Sequence, residues 1–341
     1  ANDYDVATAA NPDQIVGVFP RARGVGEFFG VMLVYLEGVP IQIATFRKEG
    51  PYSDHRRPDH VSPATLREDA ARRDFTINGM YFDPIADELV DFFGGARDLE
   101  ARLLRAIGSP SDRLSEDHLR MLRAVRFAAR FELEIEAETA EAIRDHADDL
   151  GGISRERIGE EMRRMLLDRH RCRAVELLEE LGLIPVVMGE EGARLRPGRH
   201  LASVGGELER ADYPAALAAW VLDRGVSEVG SLIERWRARL VLSNADRDAL
   251  AHILDLHRQL DADWSKATIA RRKRLAVDPW FPTAVALIAA TQPGTALEIG
   301  RAVKRLRADG PLDPDPLITG AILIDAGFRP GPHFSGVIDT I

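Results

Sequence analysis

The sequence of 341 residues contains a single cysteine, Cys172, so an intramolecular disulfide cannot form. It also lacks the paired-cysteine or cysteine/histidine spacing that is typical of zinc sites. Disulfides form in oxidising compartments, and a lone cysteine fits a reducing one. We therefore predict a cytoplasmic protein without disulfide cross-links.

Long apolar segments are missing as well. No window of the sequence has the length and purity of a membrane span, and residues 1–25 lack the basic and apolar regions of a signal peptide. The sequence predicts no membrane partner.

Lysine is scarce, because 41 of the 45 basic residues are arginine. A GC-rich coding bias explains this well, although arginine-rich surfaces also suit contacts with an RNA backbone. The formal net charge is -10, and attraction of the whole chain to a polyanion would need the opposite sign. Any contact with nucleic acid must therefore come from a local patch.

The sequence does contain enough apolar residues for a large core, 45% of the total. Its length is sufficient for two or more structural units.

The amino-terminal part predicts a mixture of strands and helix. Residues 4–8 predict a strand, and Asn11-Pro12 predicts a capped helix start. Glu37-Gly38 separates two β-prone runs, 28–36 and 41–46, as in a hairpin. Residues 48–63 are rich in Arg, His, Pro and Asp and predict a loop.

From Arg97 onward the pattern is helical. Leu119, Leu122, Val125 and Ala129 form an apolar stripe at helical spacing. Further helices are predicted over residues 139–150, from Ser154 onward, and over residues 172–182, 213–223, 227–241, 244–260, 267–276 and 281–292. His252 and His257 lie five residues apart in one of these helices, a spacing more typical of exposed residues than of metal ligands.

Three groups of polar residues are candidates for chemistry, and the first is a pair of carboxylates. Asp3 and Asp5 lie two residues apart in a strand-like segment, so both point to one face, roughly 7 Å apart. Two carboxylates at this spacing can share a hard cation such as magnesium. An exposed Asp-x-Asp loop is the alternative.

The second and third groups are rich in arginine. Arg72-Arg73-Asp74 precedes the β-prone run Phe75-Thr76-Ile77-Asn78. Asp117, Arg120, Arg123 and Arg126 then recur every three residues, which keeps them on one slowly rotating helix face. A carboxylate beside guanidinium groups complements the amino group and adjacent acceptor of cytosine or adenine, whereas guanine and uracil present the opposite pattern. A charged surface with local ion pairs is the alternative for both groups.

Together, Asp3-Tyr4-Asp5 with the following Val6-Ala7-Thr8, the segment Arg72–Asn78 and the segment Glu116–Phe127 resemble the class II tRNA nucleotidyltransferase and bacterial poly(A) polymerase family. The resemblance runs from about residue 3 to about residue 170. It implies an α+β head of the nucleotidyltransferase (polymerase β-like) type followed by an all-α neck, body and tail. We expect a head over 1–83, a nucleotide-reading neck over 84–153, an RNA-binding body over 154–270 and a tail over 271–341.

The resemblance also implies an activity: Mg2+-dependent, template-independent addition of CMP and AMP from CTP and ATP to the 3′ end of tRNA or another RNA. Asp3 and Asp5 would bind the metal, Asp74 would select the ribose or support the metal site, and Asp3, Asp5 and Asp74 would form the catalytic set. The nucleotide-binding residues would be Arg73, Asp74, Asp117, Arg120, Arg123 and Arg126.

Two departures from the family pattern are visible. Family members carry a Gly-Gly turn followed by Arg-Asp about a dozen residues before the carboxylate pair, and they commonly carry an acidic residue in the strand where this chain has Gln42. We therefore expect the sequence to be a shortened form of a longer protein, with its tail ending inside a helix that opens near Ser335. A poly(A) polymerase, a CC- or A-adding specialist and a catalytically inactive RNA-binding relative are the alternatives.

Overall fold

The structure is a computed structural model. It describes residues 5–26, 30–50, 52, 58–189, 198–205, 212–225, 228–313, 320–329 and 331. Asp3, predicted as a metal ligand, lies outside the described residues.

A four-stranded sheet of order β1-β4-β3-β2 forms the amino-terminal part; β1 is parallel to β4, and the other neighbours are antiparallel. Helix α1 begins at the predicted cap, where the Asn11 side chain accepts the Gln14 N–H at 2.9 Å. The predicted hairpin is confirmed, and its turn residues Glu37 and Gly38 have φ of 51° and 85°. The elements are β1 (Asp5–Thr8), α1 (Pro12–Val18), β2 (Arg23–Gly26), β3 (Val31–Leu36) and β4 (Val39–Thr45).

A two-stranded ribbon follows the sheet. Strands β5 (Arg47–Glu49) and β6 (Val61–Pro63) pair antiparallel, so the prediction of a loop over residues 48–63 is wrong at both ends. The ribbon is held by backbone hydrogen bonds such as Gly50 N to His60 O at 2.9 Å, which the polar composition of the segment does not reveal.

The β-prone run after Asp74 is not a strand. Residues Thr76–Asn78 form a 3-10 turn, and only Phe75 makes an isolated bridge, to Ala106. Tertiary contacts override the strand preference here, because Phe75 is fully buried. The surrounding elements are α2 (Leu66–Ala71), β7 (Met80–Asp83), β8 (Glu88–Asp91) and α3 (Gly95–Glu100).

Helix α3 begins at a tight turn that Asp91 organises. The Asp91 carboxylate accepts the backbone N–H groups of residues 93–96 at 2.9–3.2 Å. Gly94 has φ of 79°, and a Cβ on Gly95 would lie 2.2 Å from the carbonyl oxygen of Thr76. Both glycines are therefore required by the geometry of this turn.

Beyond α3 the chain is almost entirely helical, as predicted. The apolar stripe of Leu119, Leu122, Val125 and Ala129 is buried. The elements up to residue 250 are β9 (Leu103–Leu104), α4 (Pro110–Glu116), α5 (Arg120–Phe131), β10 (Glu134–Ile135), α6 (Ala137–Asp145), a 3-10 helix (Ala147–Gly152), α7 (Arg155–Leu167), α8 (Arg171–Glu180), α9 (Ile184–Met188), α10 (Arg199–Ser203), α11 (Tyr213–Arg224) and α12 (Val229–Leu240).

The chain divides into two compact units, residues 1–250 and 251–341, with α13 running across the boundary. The second unit has its own core, to which Leu260, Ile288 and Ile299 contribute. The predicted boundaries at 83, 153 and 270 stay a prediction. The remaining elements are α13 (Asn244–Ala262), a 3-10 helix (Trp264–Lys266), α14 (Ile269–Ala276), α15 (Phe281–Thr291), α16 (Pro293–Ala308) and α17 (Gly320–Asp325). Every helix in the described part of the chain is too short or too polar to span a membrane.

Candidate functional site

A cavity of about 740 Å³ lies within the first unit. Its lining carries six arginines and three acidic residues, so it is locally cationic in a chain of net charge -10. Tyr52 and Phe127 add aromatic faces to the lining. Such a surface suits a ligand with several negative charges and a flat ring. The charged residues are Arg47, Arg72, Arg73, Arg120, Arg123, Arg157, Glu49, Asp74 and Asp117.

Asp69, buried in α2, fixes the arginines at one edge of the cavity. Its carboxylate accepts from Arg72 Nε at 3.0 Å, from Arg47 N at 3.0 Å, from Arg73 Nη2 at 3.4 Å and from the Tyr81 hydroxyl. Burial raises the pKa of Asp69, but Tyr81, Arg72 and the Arg47 backbone N–H lower it by more, so the net direction is down and the carboxyl is ionised at neutral pH. The Arg73 guanidinium rests over the Tyr81 ring, 4.8 Å from its centroid.

Asp74 lies at the buried side of the cavity. One carboxylate oxygen accepts from Phe75 N at 3.0 Å and Asn78 Nδ2 at 2.9 Å, and the other accepts from Arg123 Nε at 2.7 Å. Burial raises the pKa of Asp74, whereas Arg123 and Asn78 lower it by more, and the net direction is down. Asp74 thus fixes Arg123, whose side chain is 33% exposed toward the cavity.

Asp117 follows the last residue of α4. Its Oδ2 accepts from Arg157 Nη2 at 2.6 Å, and its Oδ1 accepts from Leu119 N at 3.1 Å. Arg157 belongs to α7, the helix that the sequence predicted to open at Ser154, where Ser154 is the N-cap residue but its side chain makes no capping bond. The base-facing candidate Asp117 is therefore positioned by two separate helices.

Arg120, at the start of α5, is only 8% exposed. Its Nη1 donates to the Arg113 carbonyl at 2.7 Å and to the Glu116 carboxylate, and its Nη2 donates to the Arg72 carbonyl at 3.3 Å. Burial lowers the pKa of Arg120, but Glu116 raises it, and the net direction is up. Glu116 therefore orients Arg120 through these contacts.

Arg126 does not line the cavity. Its Nε donates to Glu161 at 2.6 Å, and its guanidinium lies over the Phe127 ring, 4.3 Å from the centroid. Three residues fall about 60° short of a helical turn, so a residue six positions after Arg120 is rotated by about 120°. The rotation corrects the expectation that all four residues of the row share one face, and a role of Arg126 in nucleotide binding stays a prediction.

Asp5 also lies outside the cavity lining. It is exposed at the start of β1, and its register partner on β4 is Gln42. The opposite face of the sheet carries Met32 and Ile43, buried with Ile15 of α1. Asp5 and Gln42 therefore share the other face, where their oxygen atoms suit a hard cation. Metal binding by Asp3 and Asp5 stays a prediction, because Asp3 lies beyond the residues described.

Sequence reasoning missed six polar residues of the lining: Arg47, Glu49, Tyr52, Arg72, Asn78 and Arg157. Arg72 belongs to the triplet Arg72-Arg73-Asp74, so its position next to Arg73 could have indicated that it also lines the site. Glu49 accepts from Arg72 Nη1 at 2.9 Å and from the Tyr52 hydroxyl. Burial raises the pKa of Glu49, but Arg72 and Tyr52 lower it by more.

The head sheet, the helices that follow it and the cationic cavity have the arrangement that the motifs led us to expect. Residues 1–105 match the family described as poly A polymerase head domain, and residues 132–191 match the one described as probable RNA and SrmB-binding site of polymerase A. The chain is similar to this family over these two segments, in agreement with the resemblance found in its motifs.

Curated relatives of the chain are CCA-adding enzymes. The enzyme of Bacillus licheniformis is 40% identical over 195 residues, which is 57% of this chain and 49% of that enzyme. The enzyme of Geobacillus thermodenitrificans is 40% identical over 197 residues, which is 57% of this chain and 48% of that enzyme. The chain thus spans about half the length of the curated relatives it matches. The Bacillus stearothermophilus CCA-adding enzyme in complex with CTP has a similar structure, with a TM-score of 0.78 and 26% identity over 99% of this chain and 82% of that one.

Proposed function

We propose that the chain catalyses template-independent addition of CMP and AMP to the 3′ end of tRNA from CTP and ATP. The observation that carries this proposal is the cavity in which Arg73, Asp74, Asp117, Arg120 and Arg123 converge. The CCA-adding activity of the relatives, and the CTP complex of the similar Bacillus stearothermophilus enzyme, support it. The predicted cytoplasmic location fits such a substrate and stays a prediction.

Base reading falls to Asp117 and Arg120. Within the described part of the chain each carboxylate oxygen of Asp117 has one donor, so each keeps a lone pair for an exocyclic amino group. The Arg120 Nη2 has two N–H groups, and one of them faces Arg72 O. The other can donate to the ring nitrogen beside that amino group. Cytosine and adenine both present this pair of groups, whereas uracil and guanine present its reverse.

Phosphate binding falls to Arg73 and Arg123. Both guanidinium groups are one-third exposed and are held from behind by ionised carboxylates, Asp69 and Asp74. Among the described residues, Arg73 Nε is buried without a hydrogen-bond partner, and a phosphate oxygen would satisfy it. A fixed arginine loses little side-chain entropy when it binds an anion, so the site is preorganised for a triphosphate.

Asp3 and Asp5 would hold a divalent cation, which we propose is Mg2+. A bound ion would supply positive charge that favours ionisation of the attacking hydroxyl and stabilises the leaving pyrophosphate. The exposed Asp5 carboxylate and the neighbouring Gln42 amide offer the oxygen ligands that Mg2+ prefers.

The test is incubation of the chain with tRNA lacking its 3′ CCA, together with CTP, ATP and Mg2+, followed by a denaturing gel. We expect a product three nucleotides longer than the substrate, and no product from the Asp5→Ala variant. Arg130→Ala, an exposed change on α5, is the matched control and should retain activity.

The product length also distinguishes the alternatives. A long ladder formed with ATP alone on an unrelated RNA would identify a poly(A) polymerase. The match of residues 1–105 to a poly A polymerase head domain is the observation that favours this alternative. Extension by two nucleotides or by one would identify a CC- or A-adding specialist. Complete inactivity with retained binding of tRNA would overturn the proposal in favour of an RNA-binding relative.

A further inference from the structure

Two histidines and an aspartate meet outside the cavity, where the chain enters α5 and leaves α6. His118 precedes α5 and is buried; His146 follows the last residue of α6; Asp149 lies in the 3-10 helix beyond it. One possible ligand atom from each of these side chains lies within 4.8 Å of the other two. The two imidazole centroids are 6.2 Å apart, with 30° between the ring planes.

The donor chemistry of this cluster selects a particular kind of cation. Two imidazoles and one carboxylate form a ligand set typical of zinc, whereas Mg2+ and Ca2+ prefer oxygen ligands alone. Zinc–nitrogen bonds of about 2.0–2.1 Å put tetrahedral ligands roughly 3.3 Å apart. Because the three atoms already lie within 4.8 Å of one another, small side-chain rotations would bring them to that separation.

His146 is already oriented for such a role. Its Nε2 lies 2.8 Å from Ser111 Oγ, and its Nδ1 lies 2.7 Å from Asp149 Oδ2. A metal-bound histidine keeps its second ring nitrogen fixed by a hydrogen bond, and Ser111 supplies that partner here. The ion would then replace the proton that Nδ1 and Asp149 share.

We propose that His118, His146 and Asp149 form a binding site for a divalent transition-metal ion of the zinc type. Three protein ligands leave the fourth position of a tetrahedral site to water. The ion would connect the α6 end to the segment that enters α5, where Arg120 N donates to Asp117 O at 2.9 Å and Met121 N donates to His118 O at 3.1 Å. The site would stabilise the entry to the helix that carries Arg120 and Arg123.

The test measures Zn2+ binding by calorimetry, and Co2+ binding by visible absorption, on the full chain stripped with a chelator. All proteins carry Asp5→Asn, which weakens the carboxylate pair predicted to bind metal. We expect one ion per chain in the parent, with affinity at least about tenfold lower in His146→Asn and in Asp149→Asn. His252→Asn is the matched control, because His252 is an exposed histidine paired with Asp278 at 2.6 Å.

Absence of Zn2+ binding in the parent would overturn the proposal. Unchanged affinity in both variants would overturn it as well. Circular dichroism without metal checks the fold of each protein, and if His146→Asn unfolds, the half-exposed Asp149 decides the question alone. The result is independent of the proposed function, because none of the three residues lines the cavity among the described residues and no nucleotide is present.

Discussion

Asp117 and Arg120 differ from Arg123 in the kind of ligand group they can address. Asp117 is an acceptor with free lone pairs, and Arg120 is a nearly buried donor of fixed orientation. Arg123 is held by Asp74 and more exposed, as a group that meets phosphate would be. Contacts with base edges carry sequence information, and contacts with phosphate do not.

This contrast predicts different kinetics for three variants. Asp117→Ala and Arg120→Ala should reduce discrimination of CTP and ATP against UTP and GTP by about 1–3 kcal/mol, as the loss of other directional base contacts does. Arg123→Ala should lower kcat/KM for all four nucleotides by a similar factor. The measurement is kcat/KM for each nucleotide. Equal losses in all three variants would show that the whole row contacts phosphate.

Within α5, a second prediction concerns Arg126. Its guanidinium and the Glu161 carboxylate are both nearly buried. Of the cations that the structure describes, Arg126→Ala leaves Glu161 with the more distant Arg164 alone, whose Nη1 lies 3.5 Å away. We expect a loss of about 1–3 kcal/mol in the free energy of unfolding. At a temperature where the variant is folded, kcat/KM should stay within about threefold of the parent.

Denaturant unfolding and steady-state kinetics on the same samples separate the two roles of Arg126. Arg130→Ala, an exposed change one turn further along α5, is the control for both measurements. A large loss of kcat/KM with unchanged stability would instead support the nucleotide-binding role predicted for Arg126.

At the start of α3, the Asp91 carboxylate predicts a pH-dependent contribution to stability. Burial raises the pKa of Asp91, but four backbone N–H groups lower it by more, so the folded pKa is below the unfolded value of about 3.9. The contribution is therefore present above that value and is lost as pH falls through the folded pKa. Asp91→Ala should cost about 1–2 kcal/mol at pH 7.

The measurement is the difference in unfolding free energy between parent and Asp91→Ala from pH 7 down to pH 3. The difference should shrink in the acid range. Glu88→Gln, an exposed change on the same strand, should show no such difference at any pH. A gap that is constant with pH would mean that Asp91 acts through packing and not through its charge.

The elements that were predictable from the sequence are those with local signals. Asn11-Pro12 caps α1 through residues three positions away, and the stripe of α5 follows from helical spacing. The ribbon β5–β6 was not predictable, because its strands find each other across a polar segment. Helix α16 was also not predicted from the sequence, because it begins with Pro293-Gly294, a pair that is typical of loops.

The candidate site was likewise predictable where the signal is local in sequence. The motifs supplied Arg73, Asp74, Asp117, Arg120 and Arg123, which all line the cavity. Arg157 escaped notice because its partner Asp117 is 40 positions away, and no pattern in one sequence reports an ion pair at that separation.

At the scale of the whole molecule, the cavity residues all belong to the first unit. We therefore expect CTP to slow amide hydrogen exchange in peptides from residues 1–250, because ligand binding stabilises the unit that holds the site. Peptides from residues 251–341 should change little. Exchange followed by mass spectrometry with and without CTP makes this comparison. Equal protection in both units would show that CTP binding stabilises the chain as one cooperative body.

The ion pair between Arg157 and Asp117 fixes the proposed base acceptor before any nucleotide binds. An incoming amino group becomes a second donor to a carboxylate that already has one, so no existing bond has to break. Because Arg157 has already restricted the Asp117 side chain, less side-chain entropy is lost when the base binds. A base without the amino group gains nothing from this acceptor, so the helix that carries Arg157 contributes to the choice of base without touching it.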